Sequence, residues 1–190
     1  MNTQLFEGEL IRLASIDPEK DAETLSRWTH DPEYLRLTDA DPARPLAPGQ
    51  VKKKLEEMEK EAQKDKNQFH FAIRTRADDR LVGSASLRWI RWTHGAGLIQ
   101  LGIGQPDDRG KGYGSEALKL ILHYAFDELN LHRVGAVTFE YNAGALRFLE
   151  RAGFVVEARR RQALNRNGRR WDALMLGLLR DEWKPVTSDK

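Results

Sequence analysis

The segment that most limits what this chain can fold into lies between Leu98 and Leu118. A strand-like apolar run, Leu98-Ile-Gln-Leu-Gly-Ile-Gly104, passes through Gln105-Pro-Asp-Asp108 into Arg109-Gly-Lys-Gly-Tyr-Gly114. Ser115-Glu-Ala-Leu118 then opens a long amphipathic helix. Gly110, Gly112 and Gly114 alternate where the strand ends and the helix begins. Glycine at such a junction lets backbone N–H groups converge on an anion without side chains in the way. The helix N-terminus adds a partial positive charge, and Arg109 and Lys111 add whole ones. The stretch asks for a phosphate or pyrophosphate; a plain surface turn would need one glycine, not three at a helix entrance.

The rest of the chain predicts a mixed α/β (α+β) architecture. Leu10-Ile11-Arg12-Leu13 reads as a strand. Asp17-Pro18 opens a helix over 19–29, and Asp31-Pro32 restarts one through about Leu37. Pro42, Pro45, Pro48 and Gly49 mark a loop. Residues 51–66 are helical by propensity, with Val51, Leu55, Met58 and Ala62 on one narrow stripe. Six lysines between 52 and 66 are offset by five acids, so this helix reads as solvated rather than as an electrostatic landing site. Phe69, Phe71 and Ile73 alternate as a strand, 77–80 turn, and 81–90 form the next strand. Gly95-Ala96-Gly97 is expected to turn into the strand 98–104. The long helix covers about 112–129, a strand 134–139, and a helix 143–152 ended by Gly153. Strands 155–164 and 171–179 flank Asn165-Arg-Asn-Gly168, a hairpin signal. Hairpins mixed with helical crossovers predict a mixed, mostly antiparallel sheet flanked by helices, not a doubly wound parallel one. One domain over 1–184 with a frayed tail at 185–190 is expected.

Two familiar phosphate patterns fail on spacing. A P-loop needs glycine four residues before Gly-Lys-Ser/Thr, but position 105 is Gln and Lys111 is followed by Gly112. A dinucleotide fingerprint needs Gly-x-Gly-x-x-Gly, which neither Gly102-Ile-Gly104 nor Gly110-x-Gly112-x-Gly114 completes. Arg/Gln-x-x-Gly-x-Gly/Ala fits at Arg109, Gly112 and Gly114. With Asn142-x-x-Ala145-x-x-x-Leu149 ending in Gly153-Phe154, the chain resembles the GNAT superfamily of acetyl-CoA-dependent N-acetyltransferases. Within it, the chain looks like the branch of ribosomal-protein alanine and spermidine N-acetyltransferases. The likeness covers nearly the whole chain, including Leu10–Leu13 and Gly83 in Leu81-Val-Gly-Ser84. It implies that acetyl-CoA is the co-substrate, with no metal, and that an amine-bearing acceptor, a small molecule or a protein N-terminus, attacks directly in a ternary complex. It also implies roles. Leu101, Ile103 and Gly104 would offer backbone groups to the pantetheine arm. Backbone N–H groups of Arg109, Gly110, Lys111, Gly112, Tyr113, Gly114 and Ser115 would hold the pyrophosphate. Asn142 would contact the pantetheine or the acetyl end, a role compatible with a helix N-cap. Ala145, Phe148 and Leu149 would line the thioester region.

The family pattern breaks where the chemistry is most demanding. Attack of an amine on a thioester needs a neutral amine, a held oxyanion and a protonated leaving thiolate. Many members of the family place a tyrosine seven residues after the motif asparagine, but here that position is Leu149. A strand glutamate is also common, but Leu98 and Gln100 fill the equivalent places. Tyr141 and Glu140 are the nearest candidate acid and base. A water chain is a second reading, because an α-amino group with a pKa near 8 is partly neutral at pH 7. A non-catalytic acyl-CoA-binding module is the third.

Other clusters carry less. His123 and Asp127 are four apart on a helix, a spacing two metal ligands could share. Trp89, Trp92 and His94 could wall a pocket or pack a hairpin. Arg159, Arg160, Arg161, Arg166, Arg169 and Arg170 crowd the last hairpin, where they could meet an acidic substrate or the cofactor's 3′-phosphate. The chain has no cysteine, which excludes a thiol nucleophile, a disulfide framework and a zinc-thiolate site. A formal charge of +2 over 190 residues gives no reason to invoke nucleic acid or membrane. The opening residues lack the basic region and apolar run of a signal peptide, so a cytoplasmic location is expected. Exposed strand edges make a homodimer a further expectation.

Overall fold

Helix starts follow directly from the Asp-Pro pairs. The computed structural model describes residues 4–184; the tail expected at 185–190 lies outside them. Asp17 accepts from the N–H groups of Glu19 and Lys20 at 3.0 and 3.3 Å, and Asp31 from those of Glu33 and Tyr34 at 2.9 and 3.2 Å. Each aspartate caps a helix whose first residue is proline, where no N–H is needed. The helices are α1 (Pro18–Thr29) and α2 (Pro32–Thr38). A third, α3 (Pro48–Asp65), starts earlier than its apolar stripe suggests, because Pro48 takes the first helical position and the Gln50 side chain accepts from the Ala47 N–H.

Seven strands form one sheet among the described residues: β1 (Ile11–Ala14), β2 (Phe69–Thr75), β3 (Leu81–Arg91), β4 (Ala96–Ile103), β5 (Arg133–Phe139), β6 (Val155–Arg166) and β7 (Arg169–Leu179). Their order is β1-β2-β3-β4-β5-β7-β6, antiparallel throughout except for β4 beside β5. The turn expected at Gly95–Gly97 needs correction. The chain reverses over Trp92–His94 and a left-handed Gly95, while Ala96 and Gly97 already pair with Arg133 and Val134. Parallel pairing with β5 draws these two residues into the strand. Asn167 and Gly168, both at positive φ, make the tight turn between β6 and β7.

Helix α4 (Tyr113–His123) crosses from β4 to β5, and α5 (Ala143–Arg151) from β5 to β6. The long helix does not stay α-helical to Leu129: Tyr124–Glu128 form a π-helical turn in which the Leu129 N–H reaches the Tyr124 carbonyl. This wider turn keeps Tyr124, Ala125 and Phe126 buried together. Alternation along β4 assigns the layers. A Cβ placed on Gly102 would meet Tyr34 and Thr38 of α2, whereas Leu101 and Ile103 lie against Gly114 of α4. The main core, including Ile73, Leu87, Ile121, Phe126, Val134 and Leu176, lies on the α4 side. No helix among the described residues is long and apolar enough to cross a membrane.

Candidate functional site

The sheet opens where β4 and β5 part. Their parallel register runs from Ala96↔Arg133 to Ile99↔Ala136 and stops, although β4 continues to Ile103 and β5 to Phe139. Beyond that point β4 follows β3, to Gly83↔Ile103, and β5 follows β7, to Phe139↔Ala173. The Gly104 N–H donates to the Val82 carbonyl at 2.9 Å. Alternation therefore turns the N–H and C=O of Leu101 and Ile103 away from β3, into the opening.

The glycine loop stands directly after this opening. Gly110 and Gly112 take φ of +77° and +90°, and Gly112 is the residue before α4, with no side chain capping the helix. The first-turn N–H groups of α4 have no intrahelical acceptor, the condition under which a helix N-terminus can take an anion. The two charges expected to help are largely engaged. Arg109 turns back toward the strand end, with Nε 3.3 Å from the Ile103 carbonyl, Nη2 3.0 Å from the Gly104 carbonyl and Asp31 at 3.8 Å. Lys111 lies 3.5 Å from Asp108, whose buried carboxylate accepts from Arg80 at 2.6 and 3.0 Å. The Arg80 hydrogen bond holds the Asp108 carboxyl below its usual range, against the opposing effect of burial. Backbone N–H groups are thus the principal donors this loop offers.

From Gly112 a groove of about 1580 Å³ runs between α4 and α5. Ser115 and Lys119 of α4, and Gly144, Arg147, Phe148 and Arg151 of α5, line it. Residues 4, 5 and 7–9 form its rim, tied down by Glu116. That carboxylate accepts from the N–H groups of Glu9, Leu10 and Ile11 at 2.6 to 2.8 Å. Sequence reasoning missed Glu116, Lys119, Arg147 and Arg151. Only the helical spacing of the two arginines could have placed them on one face.

On the opposite face, four side chains hold the end of α2 and the residues after it. Tyr141 Oη donates to the Arg36 carbonyl at 2.7 Å, Asn142 Nδ2 to Leu37 at 3.1 Å and Gln100 Nε2 to Thr38 at 2.8 Å. Arg166 Nη2 donates to Ala40 at 2.5 Å and to Asp41 at 2.8 Å. Asn142 is also the N-cap of α5, accepting from the Ala145 N–H at 3.0 Å. Burial pushes the Tyr141 hydroxyl above its usual pKa, so it is a protonated donor at neutral pH. Tyr34, packed against Trp28, is pushed up to about 12 by burial, partly offset by a hydrogen bond with Ser84 and by the charge of Arg109. Glu140 is exposed; it accepts from the Asp172 N–H at 3.2 Å and lies 3.6 Å from Arg159. Leu149 is buried in the core, and Phe148 comes within 4.0 Å of a Cβ built on Gly114.

The remaining clusters sit away from the glycine loop, although His123 lines the α4–α5 groove. Trp89 and Trp92 are exposed at the far end of β3, away from the opening. His123 Nδ1 and Asp127 are 3.0 Å apart at the end of α4. Arg159 pairs with Asp172, and Arg169 lies over Trp171. These two, like Arg166, make their contacts away from the 109–114 loop.

Comparison with known proteins agrees with this geometry. A family described as "Acetyltransferase (GNAT) domain" matches residues 11–155. The probable N-acetyltransferase YjcK of Bacillus subtilis is 37% identical over 129 residues, 67% of this chain and 70% of that protein. A crystal structure of a probable acetyltransferase superposes with a TM-score of 0.80 at 25% identity, covering 93% of this chain and 96% of the other. Spermidine N-acetyltransferase from Vibrio cholerae, solved with CoA and spermine, has the same fold, with a TM-score of 0.76 at 22% identity over 90% of this chain and 96% of its own. The chain belongs to the GNAT family of N-acetyltransferases.

Proposed function

We propose that this chain transfers the acetyl group of acetyl-CoA to a primary amine, either a protein N-terminus or a small amine, by direct attack in a ternary complex. The carrying observation is the opening between β4 and β5 immediately before the glycine loop. Acetyl-CoA supplies the activated acyl group. The edge of β4 offers amide-matching groups for the pantetheine arm at Leu101 and at the Ile103 N–H, the Ile103 carbonyl being met by Arg109. The cradle from Arg109 to Ser115 takes the pyrophosphate. The groove continues past it, and Lys119, Arg147 and Arg151 along its walls suit the 3′-phosphate better than the hairpin arginines do. Ala145, Phe148 and Leu149 wall the thioester end, and Asn142 fixes the start of α5 beside it. The amine approaches from the α2 face, past Tyr34, Tyr141 and residues 36–41. The domain covers 1–184 and works in the cytoplasm, and the exposed β6 at the sheet edge is the surface available for a homodimer.

Calorimetric titration with CoA tests the reading: binding is expected in wild type and loss in Gly112→Val, where a side chain at φ +90° would also press on Leu10. No binding by wild type would refute it. A binding-only module is the second reading. It is favoured by Leu149 in place of a proton donor and by the Glu140 carboxylate already facing Arg159 and the Asp172 N–H. CoA release against a panel of peptide N-termini, polyamines, amino acids and aminoglycosides separates the two, since turnover with any amine removes it.

A further inference from the structure

The geometry points to Thr138 as a further residue of this site, its hydroxyl donating a hydrogen bond to the sulfur end of bound acetyl-CoA and steadying the thiolate as it leaves. The assignment rests on the acetyl-CoA reading above. Thr138 is 3% exposed, and its Oγ1 has no hydrogen-bond partner among the described residues. Buried hydroxyls are nearly always paired, so an orphan of this kind calls for a partner that the side chains around it do not supply, an ordered water or a ligand atom.

Its place says which partner. The last β4–β5 pair is Ile99↔Ala136, so two residues on, Leu101 and Thr138 stand at the same level on the two sides of the opening. Val134 and Ala136, at alternate positions before Thr138, belong to the core on the α4 side. Leu101 and Ile103 face Gly114 on that same side, and Phe148 of α5 reaches the same point. The orphan hydroxyl therefore lies on the α4–α5 side, level with the Leu101 backbone groups.

The chemistry there needs a donor. The amine lone pair forms the C–N bond, the C–S pair moves to sulfur, and the proton lost by the amine ends on the CoA thiol. Amine plus acetyl-CoA becomes amide plus CoA, and negative charge collects on sulfur during the step. Leu149 cannot donate, and the Tyr141 proton is given to the Arg36 carbonyl on the other face. Thr138 has a proton to share and keeps it throughout.

The test compares CoA with desulfo-CoA in calorimetric titrations of wild type, Thr138→Val and Thr138→Ser, with kcat measured alongside. Wild type is expected to prefer CoA by about tenfold, the worth of one hydrogen bond to a charged or polarisable acceptor. Thr138→Val should lose that preference, retain desulfo-CoA affinity and lower kcat by about tenfold or more, while Thr138→Ser restores both. Thr138→Ala carries the same comparison if the valine variant does not fold. A Thr138→Val protein that still prefers CoA as wild type does overturns the assignment alone. A wild type that binds neither ligand overturns the acetyl-CoA reading and this assignment with it.

Discussion

The Tyr141 hydroxyl donates to the backbone carbonyl of Arg36 at 2.7 Å, joining the end of β5 to the end of α2. Its ring stacks on Phe139 and meets Trp171 edge-on, so the hydroxyl is held by packing as well as by its bond. This proton is occupied in anchoring. Tyr141→Phe should therefore cost about 1 kcal/mol of stability, the net worth of one hydrogen bond, and move kcat by no more than about threefold. Denaturant unfolding and steady-state kinetics check this. A kcat loss of about 10²-fold or more, with an altered basic limb in the pH profile, would instead make Tyr141 the general acid.

Arg166 extends the same anchoring from the hairpin, with one Nη2 meeting the carbonyls of Ala40 and Asp41. Arg166→Ala should loosen residues 36–41 without touching the α4–α5 groove. The expected result is faster amide hydrogen exchange over that segment and a several-fold change in KM for the amine. CoA affinity should stay unchanged, because the groove lies on the opposite face. An equal loss in CoA affinity would mean that the two faces are coupled.

Much of this fold was legible because local chemistry marks it. Asp17-Pro18 and Asp31-Pro32 announce two helices, and Asn167-Gly168 announces a hairpin. The glycine loop and Asn142 mark the candidate site for the same reason: their conformations are unusual and few residue types satisfy them. What stayed hidden depends on contacts distant in sequence. Glu116 meets residues 9–11 more than a hundred positions away, and Arg166 meets residues 40 and 41 across the sheet. Thr138 looks like any strand threonine until the parting of β4 from β5 leaves its hydroxyl without a partner. Arg109 was legible as a loop residue, but not as one whose guanidinium turns back onto β4.

Asp108 gives the loop a pH limit. Its carboxyl is held below the usual range chiefly by the Arg80 hydrogen bond. A carboxylate with a depressed folded pKa stabilises the fold above its unfolded value of about 3.9, and that stabilisation is lost as pH falls through the folded pKa. The loss belongs below about pH 4, with none expected between pH 5 and 8 from this group. Asp108→Asn should lose about 2 kcal/mol at pH 7, the scale of a charge-assisted hydrogen bond to a partly exposed arginine. It should also show a shallower fall in stability toward low pH than wild type. Chemical denaturation at pH 3 to 7 checks both, and parallel wild-type and variant curves would sink the idea.

Glu116 stands in the first turn of α4, where a carboxylate suits the helix dipole, and it spends both oxygens on the chain just before and at the start of β1. Three N–H groups converge on one side chain, and a Cβ on Gly8 would collide with its carboxyl group. Two substitutions therefore probe one contact from opposite sides. Glu116→Ala leaves three donors to find water and removes a favourable charge, for an expected loss of about 2–4 kcal/mol. Gly8→Ala keeps the carboxylate but pushes it off its donors, so its cost should be about 1–3 kcal/mol by the same bonds. Because both changes act through the same clamp, the double variant should lose much less than the sum of the two. Residues 4, 5 and 7–9 rim the groove beside Gly112, so each variant should also weaken CoA binding several-fold. Additive destabilisation with undiminished CoA affinity would show that the rim neither depends on Glu116 nor shapes the groove.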